Sequence, residues 1–517
     1  MPPLARTHLS ATHRPLTRPT RRGALVLSGL AGLGVLAGLA GCTPAEHDFS
    51  PQGTAPLPIP PLAPSQIVDG VRTFALTAQT GESALIAGRP DVRTPTLGYE
   101  GAFLGPTVRM SRGERVRVDI RNDLDVVTTL HWHGMHLPAA MDGGPHTPIG
   151  PGEARTVEWE VRQPAATLWY HPHPHGETEE QVLKGLAGLV LVDDEDSAAT
   201  GLPHEYGVDD VPLILQDKLL DRDGRIIRTE GDNALGTVGR TLLANGLAGA
   251  EFAVTTTEVR LRLLNGSAAR FLDLRLADDR PFLLVGTDGG LLESPVELTR
   301  LPLSPGERAE VVVRFAAGDR VALRTEQPDI PGAGAAAALG EQTAGDLVTF
   351  RAAGTLAAAG VWELPADARA QLVAADAAVT RSFELRMPFL NGREMDMERI
   401  DAIVRLGDAE LWEVTTPDVF PHNFHVHDVQ FRILDVDGGD PPVWLRGWKD
   451  TVPLHPGRPV RLLMRFEDYA SASVPYMVHC HLLQHEDSGM MGQFLVTEDG
   501  TGPDRIAVPD QNGHSSH

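Results

Sequence analysis

A Pro-Gly turn that launches an alternating strand occurs three times, as Pro151-Gly152-Glu153-Ala-Arg-Thr-Val-Glu-Trp, Pro305-Gly306-Glu307-Arg-Ala-Glu-Val-Val-Val and Pro456-Gly457-Arg458-Pro-Val-Arg-Leu-Leu-Met, first 154 and then 151 residues apart. A strand signal returning at that interval predicts three copies of one all-β unit. The length of 517 residues agrees, at about 150 residues per domain. Elsewhere Val116, Val118 and Ile120 alternate with Arg115, Arg117, Asp119 and Arg121, and Val259, Leu261 and Leu263 alternate with Arg260 and Arg262. Such patterns mark half-buried antiparallel sheets, with one face in the core and one in water. The fold expected is three β-sandwiches in tandem, over 66–200, 201–355 and 380–500. The Ala-rich stretch from Pro331 to Val379 reads as linker with some helix.

The histidines fall into register with this repeat. His131-Trp132-His133 stands before the first turn and His171-Pro172-His173 after it; His425-Val426-His427 stands before the third turn and His479-Cys480-His481 after it. Between His204 and His422 there is no histidine, so the middle unit reads as a spacer and the outer two as sharing a site. Residues i and i+2 of a strand point to one face, so four His-x-His pairs can bring eight imidazoles into one cleft. Neutral imidazole suits copper, zinc, iron or nickel, and eight are too many for a single ion. Within His479-Cys480-His481 the sulfur must face away from its neighbours, and His422, His485 and Met490 are its available partners. Two imidazoles, a thiolate and a thioether form the ligand set of a blue-copper electron-transfer site. A nucleophilic Cys–His pair is the competing reading, but it has no need of four His-x-His pairs.

Two cysteines in the whole chain exclude a disulfide framework and a Cys-rich metal site. With 69 acidic against 45 basic residues the net charge is −24, which argues against nucleic acid or an anionic membrane surface as partner. Residues 1–41 hold five arginines and no acid, and run into an apolar stretch from Gly23 to Gly41, the layout of a signal peptide. Without them the balance is 40 against 69, near −29. Thr20-Arg21-Arg22 resembles a twin-arginine export signal, and Leu39-Ala40-Gly41-Cys42 resembles a lipobox whose cysteine is acylated; a plain cleaved signal is the alternative. The expectation is an exported protein on the outer face of the cytoplasmic membrane, in the periplasm or at the cell surface, lipid-anchored at Cys42. Residues 42–65 are Pro-rich and read as an extended tether.

Taken together, the segments HWHG at 131–134, HPHPHG at 171–176, HNFHVH at 422–427 and HCHLLQHEDSGMM at 479–491 make the chain similar to multicopper oxidases of the laccase class. The resemblance runs from about Phe74 to Val496 and includes Arg262-Leu263-Leu264-Asn265-Gly266-Ser267 and Asp288-Gly289-Gly290. With Gly447-Trp448-Lys449-Asp450-Thr451, the last segment is most similar to spore-coat laccases, bilirubin oxidases and the bacterial copper-efflux cuprous oxidase. The resemblance implies cupredoxin-like Greek-key domains and four copper ions. It gives type 1 copper His422, Cys480, His485 and axial Met490; type 2 copper His131 and His425; and the type 3 pair His133, His171, His173, His427, His479 and His481. It implies one-electron oxidation of a reductant at type 1 copper, four-electron reduction of dioxygen to water at the trinuclear cluster, and a monomeric enzyme.

Asp142 and Glu486 are the expected proton donors, against the plainer roles of capping a turn and fixing a loop. His136, His146, His175, His455, His514 and His517 match no ligand position. Cuprous oxidases of this family, which serve copper tolerance, carry a Met-rich insert before the third domain; Pro331 to Val379 has no Met. Asp418 stands where they place an acid for substrate copper, but Phe420 replaces their Met, and Met387, Met395 and Met397 are what remains nearby. Phenols or aromatic amines are therefore the wider expectation, with Cu(I) kept open. The alternative is a copper-binding or structural envelope protein of the same fold without turnover. Nitrite reductases share the type 1 ligands but lack the second histidine flanking the cysteine.

Overall fold

The computed structural model describes residues 46–229, 234–331, 342–367, 369 and 372–508; the expected leader, Cys42, His514 and His517 lie outside them. Six sheets pair into three sandwiches, each closed on its own apolar core. In every sandwich the strand launched by the Pro-Gly turn occupies the same place. Ala154–Glu160 lies antiparallel to Arg115–Asn122, Arg308–Arg314 to Glu258–Asn265, and Val460–Arg465 to Ala409–Thr415. The other neighbour of that second strand is parallel in all three: Val71–Ser83, Asp210–Lys218 and Ala377–Arg386. The sheets are thus mixed, where alternation alone predicted antiparallel pairing, because between the two parallel strands the chain crosses to the opposite sheet, as Val108–Ser111, Ala250–Thr256 and Ala402–Arg405, before returning in the same direction. The turns share a backbone reason as well. Gly152, Gly306 and Gly457 have φ of 75°, 84° and 67°, the left-handed region that a type II turn requires after proline.

Arg115–Asn122 keeps its alternation, with Val116, Val118 and Ile120 in the core and the charged residues outward. Glu258–Asn265 does not, for its polar face is covered by the first sandwich. Arg260 and Arg262 are buried there against Glu310 and Asp210, and Thr167 of the first domain donates to Glu310 at 2.6 Å. The pattern was that of a half-solvated strand, and a neighbouring domain removed the solvent.

Two expected boundaries are corrected. From residue 46 the Pro-rich segment is no free tether: Ala55–Pro56 pairs in parallel with Ala250–Thr256, Phe49 and Leu57 are buried, and Pro58 and Pro60 accept from Asn245 and Tyr206. Proline lacks the N–H that a central strand needs, yet its carbonyl serves an edge. The Ala-rich stretch also contains more than linker. Gly345–Ala357 is a strand between Ala250–Thr256 and Arg320–Thr325, with Val348, Phe350 and Ala352 turned inward, and the third sandwich opens at Ala377 rather than 380. Among the described residues no helix is long and apolar enough to cross a membrane.

The third sandwich is centred on Trp412, fully buried among Phe383, Phe424, Phe466 and Phe494, its Nε1–H donating to Glu410 at 2.7 Å. Trp412→Ala is expected to lower the unfolding free energy by about 3–5 kcal/mol, through lost burial and a residual cavity. Urea denaturation would measure it, and a change below about 1 kcal/mol would contradict this placement of the core.

Candidate metal centre

The four His-x-His pairs sit at strand ends of the first and third sandwiches. His131–His133 pairs antiparallel to Ala166–His171, and His425 is opposite His479. Cross-domain stacking interlocks them: His131 lies on His427 with ring centroids 3.9 Å apart, and His133 on His425 at 3.7 Å. All eight imidazoles are buried. The histidine-free middle sandwich contributes no imidazole to this group.

Hydrogen bonds fix which nitrogen faces inward. Nδ1 of His131, His171, His425 and His479 faces the main-chain oxygens of Asp142, Pro172, Asp450 and Cys480, and Nδ1 of His427 lies 2.7 Å from Asp142 Oδ2. Glu486 lies between two rings, 3.3 Å from His173 Nδ1 and 3.2 Å from His479 Nδ1. His133 is turned the other way, with Nε2 on Asp450 at 3.1 Å and Thr451 at 3.2 Å. The opposite nitrogens of four rings have no hydrogen-bond partner, Nε2 of His131, His171 and His425 and Nδ1 of His133; neither has Nδ1 of His173 nor either nitrogen of His481. Nε2 of His479 lies 3.3 Å from that of His173 and 3.2 Å from that of His427. With hydrogens committed to Nδ1, three lone pairs meet there. Buried lone pairs so placed repel unless a cation lies among them.

Protonation does not supply that cation. Burial, reinforced by neighbouring rings, holds His133, His171, His173, His425 and His481 well below the usual imidazole range and His427 down to about 3. These six rings are neutral donors at physiological pH, the form that binds a metal. Burial opposes charge on Asp142 and Glu486 too, but His427 and His131 outweigh it at Asp142, and His173 and His479 bring Glu486 to about 2. Both carboxylates are held in the ionised form; Asp142 accepts from His427, and Glu486 stands close to His173 and His479 as a negative charge.

On the opposite side of the His479–His481 backbone, Cys480 Sγ lies 3.6 Å from His422 Nδ1 and 3.5 Å from His485 Nδ1, and the two nitrogens are 3.0 Å apart. The cysteine N–H donates to the carbonyl of Met490, which is fully buried. Burial raises the thiol to about 12, so only a bound cation would hold it as thiolate. The remaining nitrogens point outward: His422 Nε2 to Asp418 at 2.9 Å and His485 Nε2 to the carbonyl of Ala234 at 2.7 Å. Asp418 is partly exposed, and Phe420 packs beside both rings. Both donor sets fit metal ions, the first more than one.

His136, His146, His175 and His455 belong to neither group; His136 lies between Asp468 and Gln430, and His146 on the carbonyl of Met397. The residues that motif spacing left without a role are Asp450, Thr451 and Arg308, which meet at His133. Gly447-Trp448-Lys449-Asp450-Thr451 was the available signal.

Multicopper oxidase family models match residues 84–197 and 365–500. The multicopper oxidase mco of Staphylococcus haemolyticus is 34% identical over 87% of this chain and 94% of its own. The cell division protein FtsP of Edwardsiella tarda is 36% identical over 86% and 93%. Among solved structures, the laccase-like multicopper oxidase CueO of Ochrobactrum sp., with oxidase activity towards lignin model compounds and lignosulfonate, superposes with a TM-score of 0.77 at 37% identity, over 86% of this chain and all of that one. These relatives share a third or more of their residues with this chain along nearly their whole length, and the chain belongs to the multicopper oxidase family as a laccase-like, all-β oxidase.

Proposed function

We propose that the protein binds four copper ions and couples one-electron oxidation of phenols, aromatic amines or Cu(I) to four-electron reduction of dioxygen to water. The observation that carries this reading is the meeting of eight buried imidazoles one residue away from a Cys–His–His site. Bound copper would supply electron acceptance at His422, Cys480, His485 and Met490, and dioxygen reduction at the imidazole cluster. In this reading His131 and His425 serve type 2 copper. His173, His427 and His479 serve one type 3 ion, and His133, His171 and His481, whose ring centroids lie 4.9–5.6 Å apart, serve the other.

The chain's own groups set the rest. The Cys480 main chain joins the two sites covalently through His479 and His481. Burial excludes bulk water, so protons must pass through side chains; Asp142, on His427 and His131, and Glu486, on His173 and His479, are placed to pass them. Asp418 presents a negative edge to the reductant. Asp418→Asn is expected to raise KM for a cationic or hydrogen-bond-donating reductant about 10-fold, as loss of a charge-assisted hydrogen bond would, with kcat little changed. Steady-state kinetics with an aromatic amine would show it, and an unchanged KM would remove Asp418 from the reductant site.

Dioxygen uptake by the copper-loaded protein, assayed in parallel with Cu(I) and with a phenol, tests the function. Uptake with either supports it; none with both favours a binding or structural role, a reading kept open by the FtsP relatives and disfavoured by the complete donor set. Export and acylation of Cys42 are further parts of this proposal, supported by sequence features alone.

A further inference from the structure

The middle sandwich has no histidine between His204 and His422, yet it reaches the imidazole cluster with a charged side chain. Arg308, the first residue of its Pro-Gly-launched strand, is wholly buried, and all five of its N–H groups are used. Nε donates to the carbonyl of Thr167 at 3.1 Å, Nη1 to Gly306 at 3.0 Å and Nη2 to the carbonyl of Asp288 at 3.2 Å. The remaining two form a fork on Asp450, Nη1 to Oδ1 at 2.7 Å and Nη2 to Oδ2 at 2.5 Å. Asp450 Oδ1 in turn lies 3.1 Å from His133 Nε2 and accepts from Thr451 at 2.9 Å, while Thr451 Oγ1 is 3.3 Å from His425 Nδ1.

The surroundings leave the ion pair one position. Lys449 bridges Asp288 at 3.0 Å and Glu307 at 2.7 Å, and Asp288 receives the Arg308 N–H at 2.7 Å. Gly134, directly after His133, has φ of 84°, and a Cβ there would stand 2.6 Å from Asp450 Oδ2 and 2.7 Å from Arg308 Nη2. The backbone carrying the histidine pair thus closes onto the ion pair with no room for a side chain.

We propose that Arg308 is a positioning residue for the imidazole cluster: its fork locks the Asp450 carboxylate, which keeps the His133 hydrogen on Nε2 and leaves Nδ1 facing the metal site. The unpartnered buried Nδ1 of His133 is what such an arrangement produces. The inference rests on the copper reading above. A planar, five-donor fork is required, and lysine, a point charge, cannot reproduce it.

The test uses the full chain loaded with copper and the variants Arg308→Lys, Asp450→Asn and, as comparison, Arg262→Gln, which breaks a buried arginine–aspartate pair within the middle sandwich without touching Asp450. Readouts are copper per chain under chelator challenge, the visible band of the Cys480 site, and the electron paramagnetic signal of the imidazole-bound copper. Arg308→Lys is expected to keep the visible band, alter the paramagnetic signal and lose cluster copper to chelator about 10–100-fold more readily, and Arg262→Gln to leave that signal unchanged. An unaltered signal and chelator resistance in Arg308→Lys overturn the proposal, as does an equal change in Arg262→Gln. If Arg308→Lys does not fold, Asp450→Asn must show the same altered signal with the visible band intact; no change there overturns it. A parent protein without any cluster signal would defeat the copper reading and this proposal with it.

Discussion

Cys480→Ser is expected to remove the visible charge-transfer band of the copper-loaded protein and to lower steady-state turnover more than about 100-fold, beyond the 10–100-fold typical of groups one step removed from a metal. The sulfur is fully buried between His422 Nδ1 and His485 Nδ1, and the Cys480 main-chain N–H is held by the carbonyl of buried Met490. Serine offers a hard, protonated oxygen of nearly the same size, so packing survives while the soft donor is lost. The imidazole cluster should keep its copper, because the His479 and His481 rings face away from the replaced atom, with His479 Nδ1 on the Cys480 carbonyl and the His481 main-chain N–H on Asn423 Oδ1. Absorption spectroscopy, copper analysis and dioxygen uptake report on one sample. A variant that stays coloured, or that turns over within tenfold of the parent, would refute the assignment of Cys480 as the entry ligand.

Asp142→Asn is expected to leave the visible band in place and cut dioxygen consumption about 100- to 10,000-fold, the range for removing a general acid–base group. Asp142 Oδ2 lies 2.7 Å from His427 Nδ1 and Oδ1 3.4 Å from His131 Nδ1, so one carboxylate touches a ring on each side of the domain junction. An amide cannot take up and release a proton, and it can offer N–H where His427 needs an acceptor. The substitution therefore removes both the proton path and the anchor of that ring. Glu486→Gln, between His173 and His479, should act in the same direction. Stopped-flow reduction of the Cys480 copper would remain fast in both variants while oxygen uptake slows. Near-normal uptake at neutral pH in both would reduce these carboxylates to structural groups.

Much of this was legible in the chain. The three Pro-Gly turns mark equivalent strands because proline and a left-handed glycine are a local requirement of the turn, independent of what surrounds it. The His-x-His pairs identify a shared face because side-chain direction along a strand repeats every two residues. Alternation failed where its premise failed: Arg260 and Arg262 sit on a polar face that another domain covers, and Val348, Phe350 and Ala352 form a strand inside a stretch whose alanine content suggested otherwise. The Pro-rich segment lacks periodicity altogether, and its docking along an edge depends on carbonyls that no pattern reports.

Donor chemistry, the direction of the cysteine and the histidine-free middle unit were thus determined by the sequence alone, since each follows from residue type and local geometry. Tertiary structure decided which nitrogen of each ring turns inward, that Asp142 serves His427 from the other end of the chain, and that the unit without histidines holds the cluster through Arg308 and Asp450. These are contacts between residues 142 to 317 positions apart, and only the packing of three sandwiches brings them within hydrogen-bond reach.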